Sequence, residues 1–251
     1  MSKAPVIVAI DGPSGVGKST VAKLLAKRLR LPMLNTGAMY RAVALQAMEE
    51  GVDPADRKAM RRLVREIDLE LRTAGDGGVE VLLRGEPVGQ KIRSPEIARQ
   101  ASVVSAHSTV RKRMVELQRT YARRGGAVLE GRDIGTVVFP ETPFKFFLDA
   151  RVDVRAERRH RELVAAGRGS TLEEVTQDLE ERDRRDRTRE DSPLVQDESH
   201  FEIDSSDLLP AEIVERMVGI IRRHQEQEET EDPSATAGEP AVADAAGASD
   251  D

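Results

Sequence analysis

Gly12, Gly17, Lys18 and Ser19 stand at G-x-x-x-x-G-K-[ST] spacing within Gly12-Pro13-Ser14-Gly15-Val16-Gly17-Lys18-Ser19-Thr20. Glycines let such a loop curl its N–H groups inward around a phosphate, and the helix opening behind it adds the positive end of its dipole. In that arrangement Lys18 reaches the β- and γ-phosphates of a nucleotide and the Ser19 hydroxyl holds Mg2+. The pattern carries weight only between a strand and a helix. Both flanks are present. Val6 to Ile10 read as a buried parallel strand, and Val21, Leu24, Leu25 and Leu29 recur at helical spacing. An ordinary βα turn needs glycines but not the whole pattern.

The second group of chemistry-bearing residues is arginine-rich. Arg41 falls in the first turns of a helix that Thr36 is placed to cap, running to about Glu50. It is either a solvated helix charge or a guanidinium aimed at a phosphate, and spacing alone favours neither. Glu130-Gly131-Arg132-Asp133 follows the apolar strand Ala127 to Glu130. Ligands in open α/β sheets sit at the carboxyl ends of strands, where a charged cluster has a use beyond a strand-end salt bridge. Arg155, Arg158, Arg159 and Arg161 crowd a helix over 152–166, and Gly167-Arg168-Gly169 interrupts it. Thr171 caps the next helix, which runs into the charge run Glu180 to Arg189. Most charge runs are solvated faces. Arg182, Asp186 and Arg189 share one helical face, consistent with a binding edge. Two arginine-rich helices joined at a glycine break could form a mobile cover that neutralises phosphates.

The elements that must position these groups alternate strand and helix, as in a parallel α/β sheet. Residues 68–93 depart from that alternation. Leu69, Leu71, Val79, Val81 and Leu83 alternate with polar neighbours around Gly75 to Gly78, which predicts a hairpin in an inserted lobe, with a third short strand near Val88. Ser94-Pro95 opens a helix over 95–106, and another covers 109–123. Strands at Phe144 to Asp149 and Phe201 to Asp204, then a helix from Ala211 to His224, complete the body.

The formal charge of −6 is misleading, because residues 226–251 hold nine acids and no Lys or Arg. Subtracting those nine from 45 acids leaves 36 against 39 basic residues, a body of about +3. That suits a cleft for anionic ligands and is too weak to argue for DNA. The acidic, Ala/Gly/Pro-rich stretch 226–251 reads as disordered. Cys is absent, no apolar signal segment opens the chain, and no run reaches membrane-spanning length. A cytoplasmic protein with no membrane partner is expected. Trp is absent and aromatics are 3%, so a base-stacking platform for nucleic acid is poorly supplied. A phosphate loop, a parallel sheet and several arginines point to phosphoryl transfer, in which catalysis is positioning and charge neutralisation. No N-K-x-D motif reads a guanine base, so a kinase of a small acceptor fits better than a signalling GTPase.

Four motifs then resemble, in order, those of the bacterial cytidylate (CMP) kinase family over residues 4–225. They are Asp11 to Thr20, Thr36-Gly37-Ala38-Met39-Tyr40-Arg41, Gly131-Arg132-Asp133-Ile134-Gly135-Thr136-Val137-Val138-Phe139-Pro140, and Glu181-Arg182-Asp183-Arg184-Arg185-Asp186-Arg187. The resemblance implies a P-loop nucleoside monophosphate kinase fold, with a five-stranded parallel sheet flanked by helices in a single domain over 1–225. It implies a monophosphate-binding lobe at about 36–110 that contains the antiparallel insertion 68–93, and a short helical lid at about 152–172. It further implies ATP and Mg2+, CMP and dCMP as acceptors, and a monomer.

Position by position, the resemblance makes Arg41 and Arg132 ligands of the acceptor phosphate. Ser102, Arg111, Asp133 and Arg189 become contacts of the pyrimidine, Arg182 and Asp186 contacts of the sugar, and Thr36 and Tyr40 part of the acceptor site. Lys18 and Arg132 join Arg158 and Arg159 as catalytic groups, although the resemblance does not choose among Arg155, Arg158 and Arg159 as lid arginines. A cytosine amine suits an acceptor such as Asp133, and the base's carbonyl and ring nitrogen suit Arg or Ser. Two positions depart from the family pattern: Asn35 stands where Asp is frequent, and Glu130 where many members have Asp. The rival readings are a kinase of UMP, AMP or shikimate, and a nucleotide-dependent regulatory or RNA-binding module. The second would need the basic aromatic surface that this composition lacks.

Overall fold

Val8 and Ile10 face one side of the central sheet and Ala9 the other, and all three are fully buried. Side chains alternate along a strand, so an unbroken apolar run requires cover on both faces. That cover arises from the element order in a computed structural model, which describes residues 5–231. In chain order the elements are β1 (Ile7–Asp11), α1 (Lys18–Leu29), β2 (Met33–Asn35), α2 (Thr36–Glu49), α3 (Arg57–Glu66), β3 (Leu69–Thr73), β4 (Val79–Leu83) and β5 (Glu86–Pro87). They continue with α4 (Pro95–Val104), α5 (Ser108–Ala122), β6 (Ala127–Glu130), β7 (Phe144–Asp149), α6 (Val152–Ala165), α7 (Leu172–Thr188), β8 (Phe201–Asp204) and α8 (Pro210–Glu231). The five strands of the main sheet lie in the order β2-β6-β1-β7-β8, and every pairing is parallel.

From β1 the chain crosses to β2 on one flank, and from β6 it crosses to β7 on the other. The carboxyl ends of β1 and β6 therefore flank the point where the winding reverses, the place where such sheets leave a crevice. Val8, Ile10, Val128, Phe146 and Leu148 pack with α1 and α8 on one face, while Ala9, Leu34 and Leu129 pack with α2 and α5 on the other.

β3, β4 and β5 form a separate antiparallel sheet, as the alternation predicts. Its apolar face is not a separate core. Val81 and Leu83 share one buried cluster with Met39, Val43, Met60 and Ala9. The hairpin tip also reaches the edge of the main sheet, where the Met33 amide donates to the Gly77 carbonyl at 3.0 Å.

Two details differ from the sequence expectation. Asn35, not Thr36, caps α2: its side chain accepts the Ala38 amide at 3.0 Å, a cap that Asn makes as well as Asp. Thr36 Oγ1 instead donates to the Glu130 carbonyl at 2.8 Å and ties α2 to the end of β6. At the other end of the chain, α8 runs to Glu231 rather than stopping at His224. Apolar periodicity ends there, but no helix breaker comes before Pro233. The first six residues of the expected disordered tail are thus helical, and residues 232–251 lie outside those described. Ser94 and Thr171 cap α4 and α7 as expected, Thr171 through a reciprocal capping box with Glu174.

Candidate active site

The turn between β1 and α1 is held by glycines at positive φ: Gly12 at 145°, Gly15 at 82° and Gly17 at 92°. At Gly12 a Cβ would also collide with the Leu148 carbonyl of β7, so the loop lies flat on the sheet end. The Lys18 ammonium folds back onto the Pro13 carbonyl of its own loop. Burial, then Arg132 and behind it Arg182, hold that ammonium well below the ordinary lysine value, against the pull of Glu130 and Asp11. Asp183 on α7 braces the loop from outside. Its Oδ1 accepts the Ser14 amide at 3.1 Å, and its Oδ2 pairs with the buried Arg155.

A cavity of about 500 Å³ opens in front of this loop, a size suited to a small ligand. Lys18 and Ser19 line it from the loop, Asn35 and Arg41 from β2 and α2, and Glu130 and Arg132 from the end of β6. Arg159, Arg168 and Arg182 close it from the α6–α7 hairpin, and Arg93 closes it from the antiparallel lobe. Arg168 also donates to the Arg93 carbonyl at 3.0 Å across the mouth. Arg41 is thus a wall of the cavity. Burial, with Arg132, Arg159 and Arg93 nearby, lowers its pKa in spite of Glu130. Burial likewise pushes Arg182 down to about 10, with Arg132 adding to it. Like charges packed this closely favour an anionic ligand among them.

Ser19 Oγ donates to Glu130 Oε1 at 2.5 Å. A hydroxyl beside a carboxylate supplies hard oxygen donors, which fits Mg2+, an ion that takes few protein ligands and keeps water or phosphate for the rest. Among the described residues no group of three or more His, Cys, Asp or Glu is arranged to hold a metal.

Behind Arg132 lies a buried lattice of charge. Arg132 Nε donates to Asp186 Oδ2 at 2.8 Å, Arg189 lies 3.6 Å from Asp186 Oδ1 and 3.9 Å from Asp133 Oδ1, and Arg111 pairs with Asp133. Burial opposes ionisation of Asp186, but Arg132, Arg182 and Arg189 outweigh it and lower its pKa. Tyr40 lies beneath Arg111, with the guanidinium 5.5 Å from the ring centre, and burial raises the phenol to about 12. Four polar atoms in this region have no hydrogen-bond partner among the described residues: Ser102 Oγ, Arg111 Nε, Arg182 Nε and Arg189 Nη2. Buried polar atoms are nearly always paired, so an orphaned set in and behind the wall of the cavity and its adjoining pocket points to a ligand nearby.

Most residues singled out by sequence converge here, but not all of them. Arg111, Asp133 and Arg189 sit behind the cavity wall, while Ser102 and Arg182 line a smaller adjoining pocket of about 90 Å³. Arg158 faces away, donating to the Ser205 and Ser206 carbonyls at 2.7 and 3.2 Å. Arg155 is engaged with Asp183. Of the three arginines left open on α6, only Arg159 borders the cavity. The sequence assigns no role to Arg93, Arg168 or Asp183. The first two lack a motif, and Asp183 is hidden in a charge run where every third residue is a candidate.

The fold and the site define a phosphate-loop protein with a cationic cleft. The profile of the cytidylate kinase family matches residues 8–223, and the chain belongs to that family. A cytidylate kinase of Geobacter sp. (strain M21) is 46% identical over 222 residues, covering 88% of this chain and 95% of that protein. One from Pelotomaculum thermopropionicum is 47% identical over 211 residues, covering 84% and 93%. A third, from Bacillus thuringiensis (strain Al Hakam), is 40% identical over 216 residues, covering 86% and 96%.

Proposed function

We propose that the protein transfers the γ-phosphoryl group of ATP to CMP or dCMP, giving ADP and CDP or dCDP. The observation that carries this reading is the orphaned set Ser102, Arg111, Arg182 and Arg189 beside a cavity that starts at the phosphate loop. Three of these atoms are N–H donors. A pyrimidine carbonyl, a ring nitrogen and ribose oxygens supply the acceptors they lack.

The phosphate loop and Lys18 hold the donor, while Arg41 and Arg132 hold the acceptor phosphate. Asp133, Arg111, Ser102 and Arg189 read the base, and Arg182 and Asp186 the sugar. The attacking acceptor oxygen is already anionic, so no strong general base is needed. Lys18, Arg132 and Arg159 neutralise charge in an in-line transfer. Ser19 and Glu130 would hold Mg2+, which when bound neutralises phosphate charge. Residues 36–110 act as the acceptor lobe and about 152–172 as the lid of one kinase domain. The protein acts as a monomer in this reading. The absence of cysteine suits a reducing cytoplasm. Among the described residues no helix is long and apolar enough to cross a membrane.

A coupled ADP-release assay across the nucleoside monophosphates tests the reaction. CMP and dCMP are expected far ahead of UMP and AMP, and equal rates with UMP would refute the assignment of the base. A second expectation concerns Lys18. Its pKa is lowered in the free protein, and a bound polyphosphate puts negative charge beside it and reverses the shift. ATP binding should therefore take up protons at alkaline pH below the ordinary lysine value of 10.5. Calorimetry in buffers of different ionisation enthalpy reads that uptake, and Lys18→Met should abolish it.

A further inference from the structure

Asp11 is fully buried at the carboxyl end of β1, next to the first glycine of the phosphate loop, yet it is not part of the cavity wall. Its carboxylate turns the other way. Oδ1 accepts the Ile134 amide at 2.9 Å and Oδ2 the Gly135 amide at 2.7 Å. Those two amides directly follow Asp133 and open the π-helical turn Ile134–Val138. The residues leading into that turn are tied by the Gly131 amide, which donates to the Ile10 carbonyl at 2.9 Å. At its far end Arg119 donates to the Val137 and Val138 carbonyls, both at 2.8 Å. The His200 ring, its side chain fully buried, lies with Nε2 3.9 Å from Asp11 Oδ2. It packs so close to Gly135 that a Cβ there would sit 2.8 Å from Nε2.

A buried carboxylate is costly unless its lone pairs are filled, and here they are filled by the backbone of a loop rather than by a cation. The loop gains as much as the acid does. An irregular turn at a sheet end has few amide partners of its own, and two charge-assisted hydrogen bonds fix the peptide planes beside Asp133. Asp133 is held at its C-terminal peptide plane by these bonds, and the side chains of Arg132 and Asp133 are held by Asp186 and Arg111.

We propose that Asp11 is a positioning residue for the acceptor side: it sets the Arg132–Asp133 turn from beneath, with the His200 ring packed against the Asp11 carboxylate and Gly135. This rests on the assignment of that turn to the acceptor. The phosphate loop begins one residue after Asp11, so this side chain helps register the donor and acceptor sites to each other, beside the Ser19–Glu130 and Gly131–Ile10 hydrogen bonds.

The test is steady-state kinetics of Asp11→Asn, with the acceptor being whichever nucleoside monophosphate the wild-type protein turns over fastest. A wrong choice of base therefore appears in the wild-type panel and not in the variant. Asn can accept one of the two amides, while its own NH2 opposes the other. The KM for the acceptor is expected to rise at least about tenfold while the KM for ATP stays within about twofold. Calorimetric binding of the acceptor nucleotide alone should weaken in parallel. A general loss of folded protein would lower the amplitude of both measurements and move neither KM. An ATP KM that moves as far as the acceptor KM, or an acceptor KM that stays within twofold, overturns the proposal. If Asp11→Asn does not fold, His200→Gln carries the same test, with an expected rise of at least about threefold in acceptor KM alone.

Discussion

Arg132→Ala is expected to lower kcat/KM for CMP by two decades or more, at least about 3 kcal/mol of transition-state stabilisation. The guanidinium is anchored by Nε on Asp186 and by Nη1 on the Gly131 carbonyl at 3.1 Å, and it borders the same cavity as Lys18. Burial works against its charge, but Asp186 outweighs that and raises its pKa, so Arg132 stays cationic at every working pH. A planar fork held at one end presents its other nitrogens in fixed directions, which a lysine cannot reproduce. Arg132→Lys should therefore recover less than half of the lost free energy. Steady-state kinetics with both substrates varied decides the matter, and a loss under tenfold for the alanine variant would remove Arg132 from the reaction.

The largest effect on stability is expected from Asp183→Ala. Arg155 is almost fully buried, and Asp183 is its ion-pair partner. The remaining contacts of that guanidinium are carbonyls, Ala150 at 3.0 Å and Ser14 at 3.1 Å. Deleting one partner of a buried pair strands the other charge, which costs about 3–5 kcal/mol. In a domain of this size that corresponds to a fall in melting temperature of roughly 10 °C. The Ser14 amide loses its acceptor in the same substitution, so the KM for ATP should rise as well. Replacing both members by apolar residues of similar volume should recover much of the stability and none of the ATP affinity. Chemical denaturation of the two variants measures it, and a loss below 1 kcal/mol for Asp183→Ala alone would show that Arg155 finds water instead.

The donor side was legible because its physics is local. Gly12 to Thr20 form a continuous stretch whose spacing dictates its own shape, and the flanking strand and helix announce themselves by periodicity. The antiparallel insertion was legible for the same reason, although its shared core with α2 and α3 was not, since alternation says which residues turn inward but not what they meet. On α7 the spacing of Arg182, Asp186 and Arg189 gave a face correctly. It could not tell that Asp183, one residue further round, is the buried neighbour of the phosphate loop, 169 positions away from Ser14. Asp11 was hidden differently, inside a motif that explains every other residue in it. Arg41 could be settled only by the fold, because an exposed helix charge and a cavity wall have the same sequence.

The paired arginines have a consequence for which anions the cleft admits. Arg132, Arg189 and Arg111 already hold Asp186 and Asp133, carboxylates tethered in the same chain. A tethered group competes at the high effective concentration that its linkage provides. At Arg132, the member of this cluster that borders the cavity, a free sulfate or inorganic phosphate must outcompete that built-in occupant with one charge centre and nothing else. A nucleotide brings a base and a sugar that satisfy other groups at the same moment, so the exchange favours the larger molecule. The cluster thus acts as a threshold against simple anions, and it does so with acids rather than with any steric barrier.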